Sequence, residues 1–380
     1  MDSIKISLII PTRERAETLK FSIKTALNQN LKNYEVIVSD NFSNDSTKEV
    51  FDTFSDSRLK YFNTGKRLSM TENFNFALSK AKGEYIIVIG DDDGVMPNGI
   101  DKLHEFIFTH PSDLYIWPRH DYIWPTDNTY PVLRRFSKNC IPIKVNLRDK
   151  LAEMLKKGLL LNSLMPNTYH SATHRRIFDK IKNRTGKCYQ TTNPDEFMLF
   201  TLPVFCEYFI NIGEAITVDG HSPKSNSGST FIKSSKNEDT ELKKFVTEQS
   251  NYKIHRNIPS DFPRVFSFVL DTFMVARDMN HEFYSKYKIN FSGMLAFGWT
   301  MFKFKNTLKP IVHRKKLQEN ESFNSIYYLF FTILFFIYIQ ISNKILFKSK
   351  FERLLQLKFK EKTPMNVAEF VNFIDKNKQY

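Results

Sequence analysis

Three consecutive aspartates, Asp91, Asp92 and Asp93, follow directly on the apolar run Tyr85-Ile86-Ile87-Val88-Ile89-Gly90. Carboxylates set side by side at the mouth of a buried strand repel one another and are poorly solvated, so a divalent cation is the natural compensating charge. A metal at a sheet edge suggests phosphate chemistry. The plain alternative, a helix-capping acidic loop, would cost stability without a cation. A second group of carboxylates lies in Asn193-Pro194-Asp195-Glu196-Phe197, and a lone histidine, His221, falls in a polar stretch. His170 and His174 are one helical turn apart, a spacing that permits zinc only if the segment is helical and a third ligand exists, and none is evident.

The elements around the aspartates follow from apolar patterning. Ile4 to Ile10 is a β-branched run closed by Pro11, and Thr12 to Asn28 carries Ala16, Leu19, Ile23 and Leu27 at helical spacing. Tyr34 to Ser39 reads as a second strand. A polar loop from Asp40 to Ser46 offers helix caps before Thr47 to Phe54. Leu59 to Asn63 and Met70 to Ala81 read as strand and helix, and Tyr85 to Ile89 as the strand that delivers the aspartates. Such alternation predicts an α/β fold with a doubly wound, mostly parallel sheet, whose ligands sit at the carboxyl ends of the strands. Pro11, Asp40 and Asp91 all fall at such ends. From about Leu114 the apolar runs shorten, with a helix expected over Leu147 to Leu161, and this portion reads as a second lobe. Trp117 and Trp124 in it are either core residues or stacking platforms for an acceptor ligand. The polar stretch Gly220 to Ser229 ends the core at about residue 230 or forms a flap over it. Residues 231–380 read as a helical C-terminal region.

Within 231–380, Ser322 to Asn343 contains no charged residue, a length close to what a helix needs to cross a bilayer. Arg314, Lys315 and Lys316 precede it and Lys344, Lys348 and Lys350 follow, so membrane contact through this segment is expected, as a span or as an in-plane helix. The formal net charge of +14 points to an anionic partner. The basic residues are dispersed or gathered near the apolar segment, where anionic lipid explains them, and nucleic acid is not expected. Cys140, Cys188 and Cys206 are too widely spaced for a disulfide framework or a metal knuckle, and fit a reducing compartment. The start of the chain has no basic region followed by an apolar core, so no signal peptide is expected.

Taken in order, Ser7-Leu8-Ile9-Ile10-Pro11-Thr12-Arg13, Glu35 to Thr47, Asn73, Gly83-Glu84-Tyr85 and the aspartate run resemble the family 2 glycosyltransferases, inverting enzymes with the GT-A fold. The resemblance covers about the first 230 residues. It implies a GT-A domain at 1–230, with a nucleotide-sugar half at 1–113 and an acceptor-binding lobe at 114–230. It also implies transfer from a nucleoside diphosphate sugar, a UDP-sugar by expectation, to a glycan or lipid-linked acceptor in bacterial surface polysaccharide assembly. The setting would be cytoplasmic, at the inner face of the membrane. A catalytically inactive glycan-binding or scaffold protein of the same fold is the alternative.

Site roles come from the same resemblance. Pro11, Thr12 and Arg13 would cover the base and ribose, Asp40 would accept from the base, and Arg67 with Lys66 would reach the diphosphate, with Asn73 also on the donor side. Arg13, Arg15 and Arg67 could equally be surface charges. Relatives commonly carry Asp-x-Asp-Asp followed by a proline, and alignment on Pro97 puts Gly90 at the first aspartate. Asp92 or Asp93 then holds Mn2+ or Mg2+, Asp91 addresses the ribose, and His221 faces the metal. Asp195 occupies the position of the general base that a sugar hydroxyl needs to become a nucleophile, with Glu196 as the alternative.

Overall fold

The computed structural model describes residues 5–126, 130–135, 140–158, 165–225, 252–255, 258, 264–302, 326, 328–334 and 365–377. The chain opens with the expected alternation: β1 (Ile6–Thr12), α1 (Ala16–Leu27), β2 (Tyr34–Asp40), α2 (Thr47–Asp52), β3 (Leu59–Asn63), α3 (Met70–Lys80) and β4 (Tyr85–Val88). β1 and β2 are buried along nearly their whole length, which is why they read as continuous apolar runs and not as alternating ones. All pairings among these four strands are parallel, in the order β3-β2-β1-β4. The chain reverses its direction of growth between β1 and β4, which opens a crevice at their carboxyl ends. Thr12 is in register with Asp40 along that edge, and the aspartate run leaves β4 beside them.

The second half is mixed. β5 (Gly94–Val95), α4 (Gly99–Thr109), β6 (Leu114–Ile116), β7 (His120–Ile123), β8 (Val132–Arg135), β9 (Ile143–Asn146) and α5 (Leu147–Lys157) come first. β10 (Ser171–His174), α6 (Arg175–Thr185), α7 (Pro194–Phe205), β11 (Tyr208–Asn211) and β12 (Thr217–His221) follow. β10 is antiparallel to both β4 and β6, and β11 and β9 complete an eight-stranded sheet. β5, β12, β7 and β8 form a separate four-stranded sheet. Because residues 171–174 are a strand, His170 and His174 share no helix face. His174 instead caps α6, its Nδ1 accepting from Arg176 N, and its Nε2 lies 3.3 Å from Glu84. The acceptor-platform reading of Trp117 and Trp124 also gives way: both are core residues with committed indole N–H groups.

The C-terminal helices do not form a body apart. α8 (Arg264–Met279) lies on α7, followed by α9 (His281–Tyr284) and α10 (Phe291–Phe302). α11 (Val367–Lys376) returns to α1, β5 and β12, burying Val367, Phe370, Val371 and Ile374, with Phe370 stacked on Tyr122 at 4.8 Å between centroids. A boundary near residue 231 therefore divides the chain but not the packing. Among the described residues no helix is long and apolar enough to cross a membrane; most of Ser322–Asn343, and residues 226–229 of the expected flap, lie outside them.

Candidate active site

The three aspartates are buried, and each is held differently. Asp91 accepts from Thr12 Oγ1 at 2.7 Å and from Arg15 Nη1 at 2.9 Å. Arg15 Nη2 also reaches the Lys224 carbonyl at 2.7 Å, tying the first loop to the chain after β12. Burial works against the Arg15 charge, but Asp91 and Asp92 outweigh it and keep the guanidinium protonated. Asp92 Oδ2 accepts from Ser222 N at 2.8 Å, and its backbone carbonyl accepts from the Trp124 indole at 2.9 Å. Asp93 is the most heavily bonded: Oδ2 accepts from Gly90 N at 2.5 Å, Oδ1 from Gly220 N at 2.7 Å, and His170 Nε2 lies 3.2 Å away.

Two glycines make this packing possible. A Cβ on Gly220 would run into the Asp92 carbonyl, and one on Gly90 would come within 2.9 Å of Asp92 Oδ1 and 3.1 Å of Asp93 Oδ2. Gly90 thus lies where a side chain would crowd the carboxylates that follow it. His170 is held in the left-handed region at φ 53, an uncommon conformation for a residue with a side chain. A relay of hydrogen bonds reaches its ring. Trp117 Nε1 donates to Thr217 Oγ1 at 2.7 Å, and the same hydroxyl lies 2.7 Å from His170 Nδ1, while Nε2 faces the Asp93 carboxylate at 3.2 Å.

The charge balance is clear from these contacts. Asp91 is offset by Arg15. Burial opposes the charge on Asp93, but His170 and the N–H groups of Gly220 and Gly90 hold its carboxyl below the ordinary value. Asp92 is the uncompensated member: burial, then Asp93 and Asp91, push it up to about 7 despite Arg15 and Ser222.

Two groups of side chains have ligand atoms within 4.8 Å of one another, Asp93 with His170 and Asp219, and Asp121 with Asp219 and His221. Asp219 is common to both, and either set offers the mixed nitrogen and oxygen donors that suit a divalent ion. Asp92, Asp93 and His221 are not gathered into one such group among the described residues.

Asp40 is buried at the end of β2 and accepts from Tyr61 Oη at 2.5 Å, Asn63 Nδ2 at 2.9 Å and Ser43 N at 3.0 Å. Asn73, buried on α3, accepts from Ser39 Oγ at 2.7 Å, so it braces the strand end from behind. Arg67 pairs with Glu14 at 2.8 Å and reaches the Asn41 carbonyl, linking the loops after β1 and β2. Pro11 and Arg13 flank the buried Thr12, both half-buried.

Asp195 and Glu196 occupy the first turn of α7, with Pro194 at its start. Burial raises the Asp195 carboxyl, offset in part by the backbone N–H groups of Glu196 and Asp195. Burial and the neighbouring Asp195 push Glu196 well above its ordinary value, and its Oε2 has no hydrogen-bond partner. Tyr169 connects the two carboxylate groups: burial first, then Asp195, Asp93 and Asp91, drive its phenol well above the usual range. It pairs beside Val88 at the end of β4 and packs edge-on against Phe74 at 5.8 Å.

Sequence reasoning did not single out Tyr169, Thr217, Asp121 or Asp219, set aside His170 as a ligand, and left Arg15 open. The alternation of Thr217, Asp219 and His221 at period two is the one signal that a strand face was present there.

Comparison with known proteins adds the following. Residues 7–188 match the profile of Glycosyl transferase family 2. The GalNAc(5)-diNAcBac-PP-undecaprenol beta-1,3-glucosyltransferase of Campylobacter jejuni is 37% identical over 102 residues, 26% of this chain and 33% of that one. The cholesterol galactosyltransferase of Borreliella burgdorferi is 34% identical over 112 residues, 29% of this chain and 31% of that one. The Escherichia coli enzyme WfgD, a UDP-Glc:alpha-D-GlcNAc-diphosphoundecaprenol beta-1,3-glucosyltransferase, is 32% identical over 101 residues, 27% and 40% of the two chains. The aligned part therefore spans about a third of the length of these relatives. Staphylococcus aureus TarS 1-349, solved with UDP-GlcNAc, superposes with a TM-score of 0.49 at 14% identity, covering 83% of this chain and 89% of that one.

Proposed function

Since residues 7–188 form a family 2 glycosyltransferase domain, we propose that this protein moves a sugar from a nucleoside diphosphate donor, a UDP-sugar, to a hydroxyl of a glycan or lipid-linked acceptor, with inversion at the anomeric carbon. The observation that carries the reading is Tyr169. This half-buried phenol is raised by burial and then by Asp195 from α7 and by Asp93 and Asp91 from the end of β4, which supports a single site for the base and the acidic run. The Campylobacter jejuni and Escherichia coli relatives bear names with undecaprenol-linked diphosphates, which supports a lipid-linked acceptor and a reaction at the cytoplasmic face of a membrane.

In this reading Pro11, Thr12, Arg13 and Asp40 take the nucleoside, and Asp91, steadied by Thr12 and Arg15, addresses the ribose. Asn73 and Arg67 act one step back, through Ser39 and Glu14. Asp195, raised by burial, accepts the proton of the acceptor hydroxyl as the oxygen attacks the anomeric carbon from the face opposite the diphosphate. The elevated carboxyl suits a base that must take a proton near neutral pH. Mn2+ or Mg2+ would be held by His221 with Asp219 and Asp121, and from the acidic run by Asp92, with Asp93 fixing the loop. When bound it would neutralise the charge growing on the leaving diphosphate.

The test is release of nucleoside diphosphate from a panel of nucleotide sugars with Mn2+ and an undecaprenyl-diphosphate-linked sugar. Asp195→Asn is expected to lower turnover by roughly a thousandfold while nucleotide binding is kept. Undiminished turnover in that variant would remove Asp195 from the role of base. Absence of turnover with every donor would favour the inactive glycan-binding alternative.

A further inference from the structure

Helical residues 328–334 turn one face into the protein and the other outward. Tyr328 is 0% exposed and joins the main core, while Phe331 and Thr332, which lie on its side of the helix, are half-buried. The opposite side presents Ile326 at 76% exposure, Phe330 at 58% and Ile333 at 60%, with Leu329 and Leu334 exposed between and beside them. At 100° per residue these five side chains fall on one continuous arc of the helix, and all of them are apolar. A soluble helix packed against a core carries its charges on this side; here the whole segment Ser322–Asn343 has none.

We infer that this outward face is a docking surface for an anionic lipid bilayer, on which the protein lies without crossing it. Charge supports lipid over a second copy of the chain. Arg314, Lys315 and Lys316 stand before the uncharged segment and Lys344, Lys348 and Lys350 after it, in a chain of formal charge +14. Two such faces meeting would bring like charges together, whereas an anionic headgroup layer attracts them. The packed side supports a surface position over a span. A crossing helix meets lipid around most of its girth, but here Tyr328 is wholly enclosed by protein. The face is suited to sit at the boundary of headgroups and acyl chains, roughly 5–10 Å deep. The inference concerns attachment and stands whether or not the acceptor is lipid-linked.

The experiment is flotation of the full chain with phosphatidylcholine vesicles, with and without phosphatidylglycerol, in the absence of donor and acceptor. The wild type is expected to float with the anionic vesicles, less with the neutral ones, and less as salt is raised. Phe330→Ser combined with Ile333→Ser should weaken partitioning by roughly a hundredfold, since each removed side chain is worth about tenfold when buried in lipid. Because both positions are exposed, the unfolding midpoint of the variant should match the wild type, and sedimentation velocity should show both as monomers. Equal flotation of the two proteins, or no flotation of the wild type, overturns the proposal. So does a concentration-dependent dimer that the double substitution abolishes, which would make the face a contact between copies.

Discussion

The buried run Asp91–Asp93 and the half-buried pair Asp195–Glu196 are two carboxylate groups held in opposite ways. Around the first, partners converge from three distant parts of the chain: Thr12 with Arg15, His170, and Gly220 with Ser222. Around the second, the helix backbone is the source of donors, and Glu196 Oε2 has no partner. In the first group Asp93 is held as negative charge, whereas Asp92, like the second pair, is pushed towards holding a proton. Dense hydrogen bonding stabilises charge and geometry together, and burial without it does neither. The proposed reaction, which would bind a diphosphate and exchange one proton, calls for both kinds.

The sharpest break in this contrast is Asp93→Ala. It strands the N–H groups of Gly90 and Gly220 and leaves His170 without its acceptor, so we expect a loss of about 3–5 kcal/mol in unfolding free energy, read by urea titration. Asp93→Asn, which keeps an acceptor oxygen, should lose distinctly less. A loss under about 1 kcal/mol for the alanine variant would mean that the acidic run is not held by this web. Gly220→Ala is expected to follow at about 2–3 kcal/mol, because its Cβ must displace the Asp92 backbone. The same variant should lower nucleotide affinity, measured calorimetrically.

How much of this was legible in sequence depends on the range over which each feature is encoded. The four parallel strands and their helices are written locally, in β-branched runs and helical spacing, and the structure places them within a residue or two of expectation. The aspartate run was visible for the same reason. The relay from Trp117 through Thr217 to His170 was not, because its members come from three distant segments and meet only once the sheet has formed. Arg15 looked like any exposed arginine until Asp91 was brought to it. The return of α11 beneath β5 was equally hidden: its apolar face announces that it packs, not where. The glycine at 90 was noticed in sequence, but that a Cβ there would crowd Asp92 and Asp93 needed coordinates.

The second carboxylate group makes the opposite prediction about charge. The folded state raises Glu196 above its ordinary value of 4.5, so the native protein binds a proton there that the unfolded chain releases. The associated stability is present at pH below about 4.5 and is lost as pH rises. Glu196→Gln should remove that dependence. Relative to wild type the variant should gain about 1 kcal/mol at neutral pH and nothing near pH 4, followed by thermal unfolding across the range. A variant that is less stable than wild type at pH 7 would show that the Glu196 carboxylate has a favourable partner when ionised.

The smallest effect concerns what holds the start of α7. Thr191 sits at φ 58, a strained position for a β-branched residue, two residues before the cap of that helix. Its carbonyl accepts from Thr71 Oγ1 at 2.6 Å and its hydroxyl lies 2.9 Å from Thr272 Oγ1, so α3 and α8 clamp it from two sides. Thr191→Gly relieves left-handed strain of about 1–2 kcal/mol, but it gives up the Thr272 bond, about 1 kcal/mol, and loosens the unfolded chain by about 0.5–1 kcal/mol. These offset, and the unfolding free energy should move by less than about 1 kcal/mol. Turnover should fall severalfold at unchanged donor KM, because the glycine no longer ties Asp195 to α8. A gain above 1 kcal/mol with full turnover would mean that the clamp is idle and the strain uncompensated. A pure loss of donor affinity would place Thr191 with the acidic run, on the wrong side of the contrast between the two carboxylate groups.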